Sequence, residues 1–279
     1  MNLIYKPTGR ALEYAPLACN VYRGCDHGCV YCYAPGTTRR TRADFQHSTA
    51  RPGNFLRRLA SEAAEREKSG VAGDWPVLLS FTCDPYQHVD ERLRHTRRVI
   101  TILKSTGHTV EILTKGGLRA LRDLDLLDER DALAATLTFT PSSGLSQAYE
   151  PNAAPPAERI EMLRAAHDLG IRTWASLEPV LNTEQAFNLI ERTAPFVDLF
   201  KIGKLNRQGS FDPVMRHALN DIERTTNWSQ FALDAVALCQ ALGCPYYVKD
   251  SLATYLPPTV ARAQGWWPSW LPRHHAQPI

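Results

Sequence analysis

From about residue 76 onward, short β-rich apolar runs alternate with helix-length amphipathic stretches, and this alternation restricts the fold more than any other feature. Val77–Thr82 reads as a strand, and Thr96–Ser105 as a helix with Val99, Ile100 and Leu103 at helical spacing. Thr109–Leu113 is predicted as a strand and Leu118–Leu127 as a helix. Ala134–Thr140 is predicted as a strand and Pro156–Leu169 as a helix, opened by prolines and stopped at Gly170. Arg172–Leu177, Val197–Ile202 and Tyr246–Lys249 read as strands, with Thr183–Thr193 and Trp228–Leu242 as the intervening helices. Strand–helix alternation of this kind builds βαβ units on a parallel sheet. At least six units in about 230 residues predict an α/β fold, a partial (β/α)6 TIM-like barrel. No break in composition divides the chain, so one domain is expected over 1–279, with its core at about 15–250 and an irregular tail over 251–279. Thr37–Asn54 is polar and basic and reads as a loop over one rim. The tail is rich in proline and holds Trp266, Trp267 and Trp270.

Composition bounds the location. Apolar residues make up 44% and charged residues 22%, as in an ordinary globular protein. No run of 18 apolar residues occurs, so a membrane helix is not expected. Met1–Lys6 lacks an apolar stretch of the secretory kind, and a cytoplasmic location is expected. A net charge of +3 is too small to argue for nucleic acid by itself.

Seven cysteines is an odd count, and with no export signal a disulfide framework is not expected. Four of the seven lie between Cys19 and Cys32. Cys25, Cys29 and Cys32 form C-x3-C-x2-C, three thiolates within eight residues. Such spacing holds iron–sulfur clusters, and three ligands leave one iron open for a cofactor or substrate. A structural zinc site competes with this reading. Zinc takes four ligands, so His27, Cys19 or Cys83 would have to complete it.

The cysteine spacing, with Tyr31 just before the last cysteine, resembles the signature of the radical S-adenosylmethionine (SAM) enzymes. Cys19–Cys25 together with Cys32-Tyr33-Ala34 is similar to the branch related to spore photoproduct lyase. The similarity continues through Asp84-Pro85-Tyr86-Gln87, Leu113-Thr114-Lys115, Tyr149-Glu150-Pro151 and Leu177-Glu178-Pro179, covering residues 15–205. The resemblance implies a [4Fe–4S] cluster on Cys25, Cys29 and Cys32, in a loop after a first strand at Asn20-Val21-Tyr22. It also implies that the open iron chelates SAM, whose reductive cleavage gives a 5′-deoxyadenosyl radical that abstracts hydrogen from a substrate. The hard chemistry belongs to the cofactor, and the protein orients it and excludes water.

The same resemblance and the positions of polar residues at strand ends give the remaining candidates. Asp84 follows the second strand and either contacts the cofactor or caps the turn at Pro85. Lys115 stands where the lyase keeps a cofactor-binding lysine, at the end of the third strand. Thr138 and Thr140 alternate with Leu137 and Phe139, which predicts a polar strand face able to reach the cofactor or simply to fill the core. Glu178 is a candidate ligand, or the partner of Arg172 or Lys201 in a rim salt bridge. Lys201, Lys204, Lys249 and Asp250 are further rim candidates, while His108 and His167 are expected to face solvent.

The lyase's hydrogen-donating cysteine corresponds to Phe81, and Cys83 lies on the same strand face, which directs it inward. Cys83 is then a candidate catalytic donor, against a bland role as core filler. Tyr31 and Tyr33 match tyrosines implicated in the lyase's hydrogen transfer, and they equally serve the cluster fold. The resemblance further implies a one-electron donor such as flavodoxin or ferredoxin, and it leaves open both a nucleic-acid base and a protein, peptide or metabolite as substrate. Arg39, Arg40, Arg42, Arg51, Arg57 and Arg58, opposed by Asp44, form a basic run that would track phosphates of DNA or line a solvated face. A second run, Arg92, Arg94, Arg97, Arg98 and Lys104, is of the same kind.

Overall fold

The computed structural model describes residues 2–205 and 212–264. Its main sheet contains β1 (Leu17–Ala18), β4 (Val77–Leu79), β5 (Val110–Thr114), β6 (Ala132–Thr136), β7 (Arg172–Leu177), β8 (Leu199–Ile202), β9 (Tyr246–Val248) and β10 (Ala263–Gln264), in that order. Neighbours from β1 to β9 are parallel, and β10 closes the edge antiparallel to β9. Seven parallel strands thus curl into a half-barrel, the partial TIM-like architecture predicted from the alternation. The short strands β2 (Tyr22–Arg23) and β3 (Thr49–Ala50) pair with each other outside it.

Side-chain alternation sorts the strands into two layers. Val77, Leu79, Val110, Ile112, Leu133 and Ala135 point outward and bury against Val99, Ile100, Leu103, Leu163, Leu189 and Ile190 of the surrounding helices. Leu78, Ala132, Ala134, Trp174, Leu199 and Tyr247 point inward. Register places Glu111 beside Leu78 and Ala132, and Lys201 beside Ser176 and Tyr247, so both charges lie on the inner face. Burial raises the Glu111 carboxyl and pushes Lys201 down to about 8. The Lys201 ammonium sits 4.2 Å from the Trp174 ring centre.

The helices begin and end where their signals stand. Asn182 and Asn227 side chains accept from Gln185 N and Gln230 N, capping Thr183–Thr193 and Trp228–Ala241. The first barrel strand is Leu17–Ala18 rather than Asn20–Tyr22. The Asn20 side chain leaves the sheet to accept from the N–H groups of Phe81 and Thr82 at 2.9 and 2.8 Å. Thr37–Asn54 is not wholly irregular. It contains the helix Arg42–Gln46, whose cap Thr41 accepts from Asp44 N, followed by β3. Gly117–Leu126 winds as a 3-10 helix where an α-helix was expected. Strand β6 ends at Thr136, so Thr138 and Thr140 lie beyond it, in the loop. Phe55–Lys68 is a helix the charge-rich sequence did not announce, and it buries Phe55, Leu59 and Ala63. The tail begins with a helix at Asp250–Ala253 and contributes β10, while Trp266, Trp267 and Trp270 lie outside the described residues. No described helix is long and apolar enough to cross a membrane.

Candidate active site

Because the seven strands are parallel, the segments leaving their C-terminal ends gather on one rim. These are the cysteine loop after β1 and β2, Ser80–Gln87 after β4, Lys115–Gly116 after β5, Leu137–Thr140 after β6, Glu178 after β7 and Lys249 after β9.

The cysteine loop is shaped by its own backbone and by the segment that follows it. Cys25 N donates to Phe45 O at 2.9 Å, and Cys32 N to Cys29 O at 3.1 Å. The Arg42 guanidinium donates to Cys29 O at 2.5 Å and to Cys32 O at 3.4 Å. Gly24 has φ 80°, and a Cβ there would come within 2.3 Å of Phe45 O, so only glycine lets the two segments meet. Cys25, Cys29 and Cys32 line one cavity together with Gly28, Pro35, Arg42 and Phe45. Burial pushes the Cys29 thiol up to about 12 and raises Cys25 and Cys32 as well, so ligation by cationic iron is what would draw off their protons. Among the described residues no three His, Cys, Asp or Glu groups are close enough to hold a single metal ion. A cluster gives each thiolate its own iron, so three sulfurs that share a cavity without meeting at one point fit a cluster better than a lone zinc.

His27, inside the loop, ties it to the next two strands. Its Nε2 lies 3.2 Å from Arg119, which can only donate, so Nε2 accepts and Nδ1 carries the proton facing Asp84 at 3.5 Å. Burial pushes His27 down to about 4, which keeps it neutral. Asp84 accepts from Tyr86 N at 2.8 Å, Thr114 Oγ1 at 2.6 Å and Lys115 N at 2.7 Å. The turn-capping role therefore holds, and Asp84 also fixes where Lys115 begins. Gly116 allows the close approach, since a Cβ there would lie 2.5 Å from Tyr86 Cβ.

The Lys115 ammonium lies beside Tyr31 and Glu150. It stands 3.9 Å from Glu150 and 5.5 Å from the centre of the Tyr31 ring, and its charge opposes the rise of the Cys29 and Cys32 thiols. The Tyr31 hydroxyl donates to Glu150 and lies 3.2 Å from Thr138 Oγ1. Glu150 in turn pairs with Arg159 at 2.6 Å, both being almost wholly buried. This buried pair was not picked out from the sequence, although Glu150 stands in a motif quoted there. Arg159 lies on a helix read only from its opening prolines and its stop at Gly170, so nothing local marked it. Thr140 N donates to Gln185 Oε1 at 2.9 Å, which makes Thr140 a loop anchor.

Across the mouth, Glu178 pairs with Lys249 and accepts from the Tyr14 hydroxyl. Its partner is therefore neither Arg172 nor Lys201. Lys201 instead donates to Tyr14 O at 3.0 Å, and Lys204 pairs with Glu223. Asp250 pairs with Arg262 at 2.7 Å. His108 is buried against Thr106 rather than solvent-facing, while His167 is exposed.

Cys83 and Phe81 do not share a face, because β4 ends at Leu79 and residues 81–83 bend. Phe81 packs with the barrel interior, whereas Cys83 packs against the outer core and accepts from Tyr22 N at 3.4 Å. The strand-face argument for Cys83 as a hydrogen donor therefore falls. The Tyr33 ring lies on the mouth side, its hydroxyl donating to Phe81 O at 2.7 Å.

Comparison with known proteins agrees with this geometry. An uncharacterized protein of Methanocaldococcus jannaschii is 24% identical over 193 residues, covering 68% of this chain and 71% of that one. An uncharacterized protein of Mycobacterium tuberculosis is 28% identical over 189 residues, covering 63% of this chain and 52% of its own length. Spore photoproduct lyase complexed with dinucleoside spore photoproduct superposes with a TM-score of 0.59 at 14% identity, over 80% of this chain and 65% of the lyase. Streptococcus suis SuiB bound to S-adenosylmethionine superposes with a TM-score of 0.62 at 12% identity, over 87% of this chain and 52% of SuiB. The chain thus spans between about half and 71% of these relatives' lengths. The family model of the radical SAM superfamily matches residues 19–186, more than half the chain. Enzymes of this family use a [4Fe–4S] cluster and SAM and draw on a one-electron donor. On that match the chain belongs to the radical SAM superfamily, a family of radical enzymes.

Proposed function

We propose that Cys25, Cys29 and Cys32 hold the [4Fe–4S] cluster, that Lys115 binds the carboxylate of SAM, and that the substrate is a nucleic-acid base. The observation that carries this is the Lys115 ammonium 5.5 Å from the ring of Tyr31, the residue next to Cys32, with Cys25, Cys29 and Cys32 together lining one cavity. When bound, the cluster and SAM supply the 5′-deoxyadenosyl radical that takes a hydrogen atom from the substrate. The chain's own residues position and seal. Asp84 holds Lys115 N, His27 ties Asp84 to the cysteine loop, and Glu150 offsets the ammonium until a cofactor carboxylate shares it. The Tyr31 hydroxyl, 3.2 Å from Thr138 Oγ1, braces the loop against the segment after β6, and Glu178, Lys249 and Tyr33 border the mouth where substrate would enter. Thr140 stands behind them as a loop anchor. The base as substrate is supported by the branch motifs and by the likeness to the lyase that binds a dinucleoside photoproduct. Phe81 in the place of the lyase's thiol argues against the same return of hydrogen. SuiB, bound to a precursor peptide in one structure, supports a peptide as the second reading.

Lys115→Ala is expected to weaken SAM binding about ten- to a hundredfold, the worth of one charge-assisted hydrogen bond, with iron content unchanged. Equilibrium titration of the anaerobic protein with SAM measures this, and equal affinity removes Lys115 from the site. Deuterium from labelled oligonucleotides is expected to appear in 5′-deoxyadenosine. Label arriving from peptides and not from oligonucleotides would transfer the substrate to the second reading.

A further inference from the structure

We propose that the outer face of residues 36–50, with Arg23 on the paired strand β2, is the docking surface for an acidic one-electron carrier protein. The inference rests on the cysteine loop holding the cluster and adds where its electron comes from.

Residues 36–50 lie directly on that loop. Phe45 O accepts from Cys25 N, Arg42 reaches the carbonyls of Cys29 and Cys32, and Gln46 lies 3.5 Å from where a Cβ of Gly28 would be. The inner side chains of this segment, Arg42, Phe45 and Gln46, line the cavity of the three cysteines together with His27, and the rest of the segment covers that cavity. Most of residues 36–50 are exposed, so a carrier approaching the cysteine loop over this segment meets them first.

The charge of this face is one-sided. Residues 20–58 contain seven arginines, two aspartates and no lysine or glutamate, in a chain whose net charge is only +3. The proposed face itself, residues 36–50 with Arg23, holds four of these arginines against Asp44, and Asp212 lies 3.5 Å from Arg42. Arg23 and Arg39 are exposed. Arg39 is presented from a left-handed backbone, φ 55°, which glycine adopts at lower cost. The Arg40 guanidinium lies over the Phe45 ring at 5.8 Å, and Arg51 over Phe55 at 5.1 Å, so both charges are held in place before a partner arrives. Electron-transfer encounters are small, transient and steered by opposite charge, which is what such a face provides. Arg42 contacts the cysteine loop and Asp212, and Arg40 and Arg51 lie over aromatic rings, whereas Glu178 and Lys249 pair at the barrel mouth. That placement favours a redox partner over a nucleic-acid substrate. In the transfer the carrier's reduced flavin or iron–sulfur group loses one electron and the cluster gains one, with no bond made or broken.

The test uses the anaerobic holoenzyme with its cluster oxidised, mixed rapidly with reduced flavodoxin as the acidic carrier. The wild-type reduction rate should fall steeply with added salt. Arg23→Glu with Arg39→Glu should slow reduction at least tenfold at low salt and weaken flavodoxin binding measured by fluorescence anisotropy. Arg23→Lys with Arg39→Lys should keep the wild-type rate. Iron content and reduction by the small methyl viologen radical cation should be unaffected, which separates docking from damage to the cluster. Equal flavodoxin rates and affinities in wild type and charge-reversed protein overturn the proposal. So does an unchanged flavodoxin rate with lost affinity for a labelled DNA duplex, which would give the face to nucleic acid. A wild-type protein without iron would overturn the underlying cluster reading, and this inference with it.

Discussion

Replacing any one of Cys25, Cys29 or Cys32 by alanine is expected to remove all four irons from the anaerobically purified protein. The three sulfurs line a single cavity, and two thiolates do not retain a cluster designed for three. Cys239→Ala and Cys244→Ala are expected to leave the irons in place. Both residues are buried in the packing of the helix Trp228–Ala241 against β9, and burial pushes Cys239 up to about 12, so it remains a thiol. Iron and sulfide analysis with the visible absorption spectrum reads the outcome. A colourless protein that carries one zinc would sink the cluster assignment.

Arg159→Leu is expected to lower stability by about 3–5 kcal/mol, because it leaves the buried Glu150 carboxylate without its principal partner. Arg159 also donates to Ala154 O at 2.8 Å and Thr136 O at 3.1 Å, so two carbonyls lose a donor as well. The effect should depend on pH. Burial acts to raise the Glu150 carboxyl, but Arg159 and Lys115 outweigh it and hold the group below its ordinary value. A depressed carboxyl contributes stability above the unfolded-state pKa and loses it as the pH falls through the folded value. Without Arg159 burial is less opposed, the carboxyl rises, and protonation relieves the variant before the wild type. The gap between the two proteins should therefore be widest near neutral pH and narrow toward acid. Urea unfolding followed by tryptophan emission at several pH values checks both parts. A loss below about 1 kcal/mol at neutral pH, the scale of an exposed pair, would mean that Glu150 is hydrated or already protonated.

The arrangement around Lys115 explains why these residues belong together. The lysine is fixed at its backbone by Asp84 and balanced at its head by Glu150, and each carboxylate is tied to the cysteine loop, through His27 and through Tyr31 respectively. The cysteine loop and Lys115 are thus positioned by one connected set of polar contacts, in a barrel whose seven parallel strands aim at the same rim. Stability and chemistry share residues here, so variants must be read with both an unfolding measurement and a binding measurement.

Much of the architecture was legible because its signals are local. The strand Arg172–Leu177 and the helix Thr183–Thr193 fall where periodicity and the Asn182 cap place them. The strand expected at Ala134–Thr140 ends instead at Thr136, because apolar–polar alternation persists past the last ladder bonds and cannot mark where the chain leaves the sheet. The same limitation misplaced Cys83. Spacing by two implies a shared face only while the backbone remains extended, and after Leu79 it does not.

The βαβ succession, and with it the curled parallel sheet, could be read from the chain alone, as could the grouping of Cys25, Cys29 and Cys32, since periodicity and spacing act within a few residues. Only the tertiary structure decided which charges meet. Tyr31 finds Glu150 across 119 residues, and Lys249 finds Glu178 across 71. Such contacts exist only once the strands have curled together, and burial then makes each partner's identity matter through the cost of leaving a charge alone in a low-dielectric interior. That cost is a property of the assembled barrel, so no single segment of the chain carries its mark.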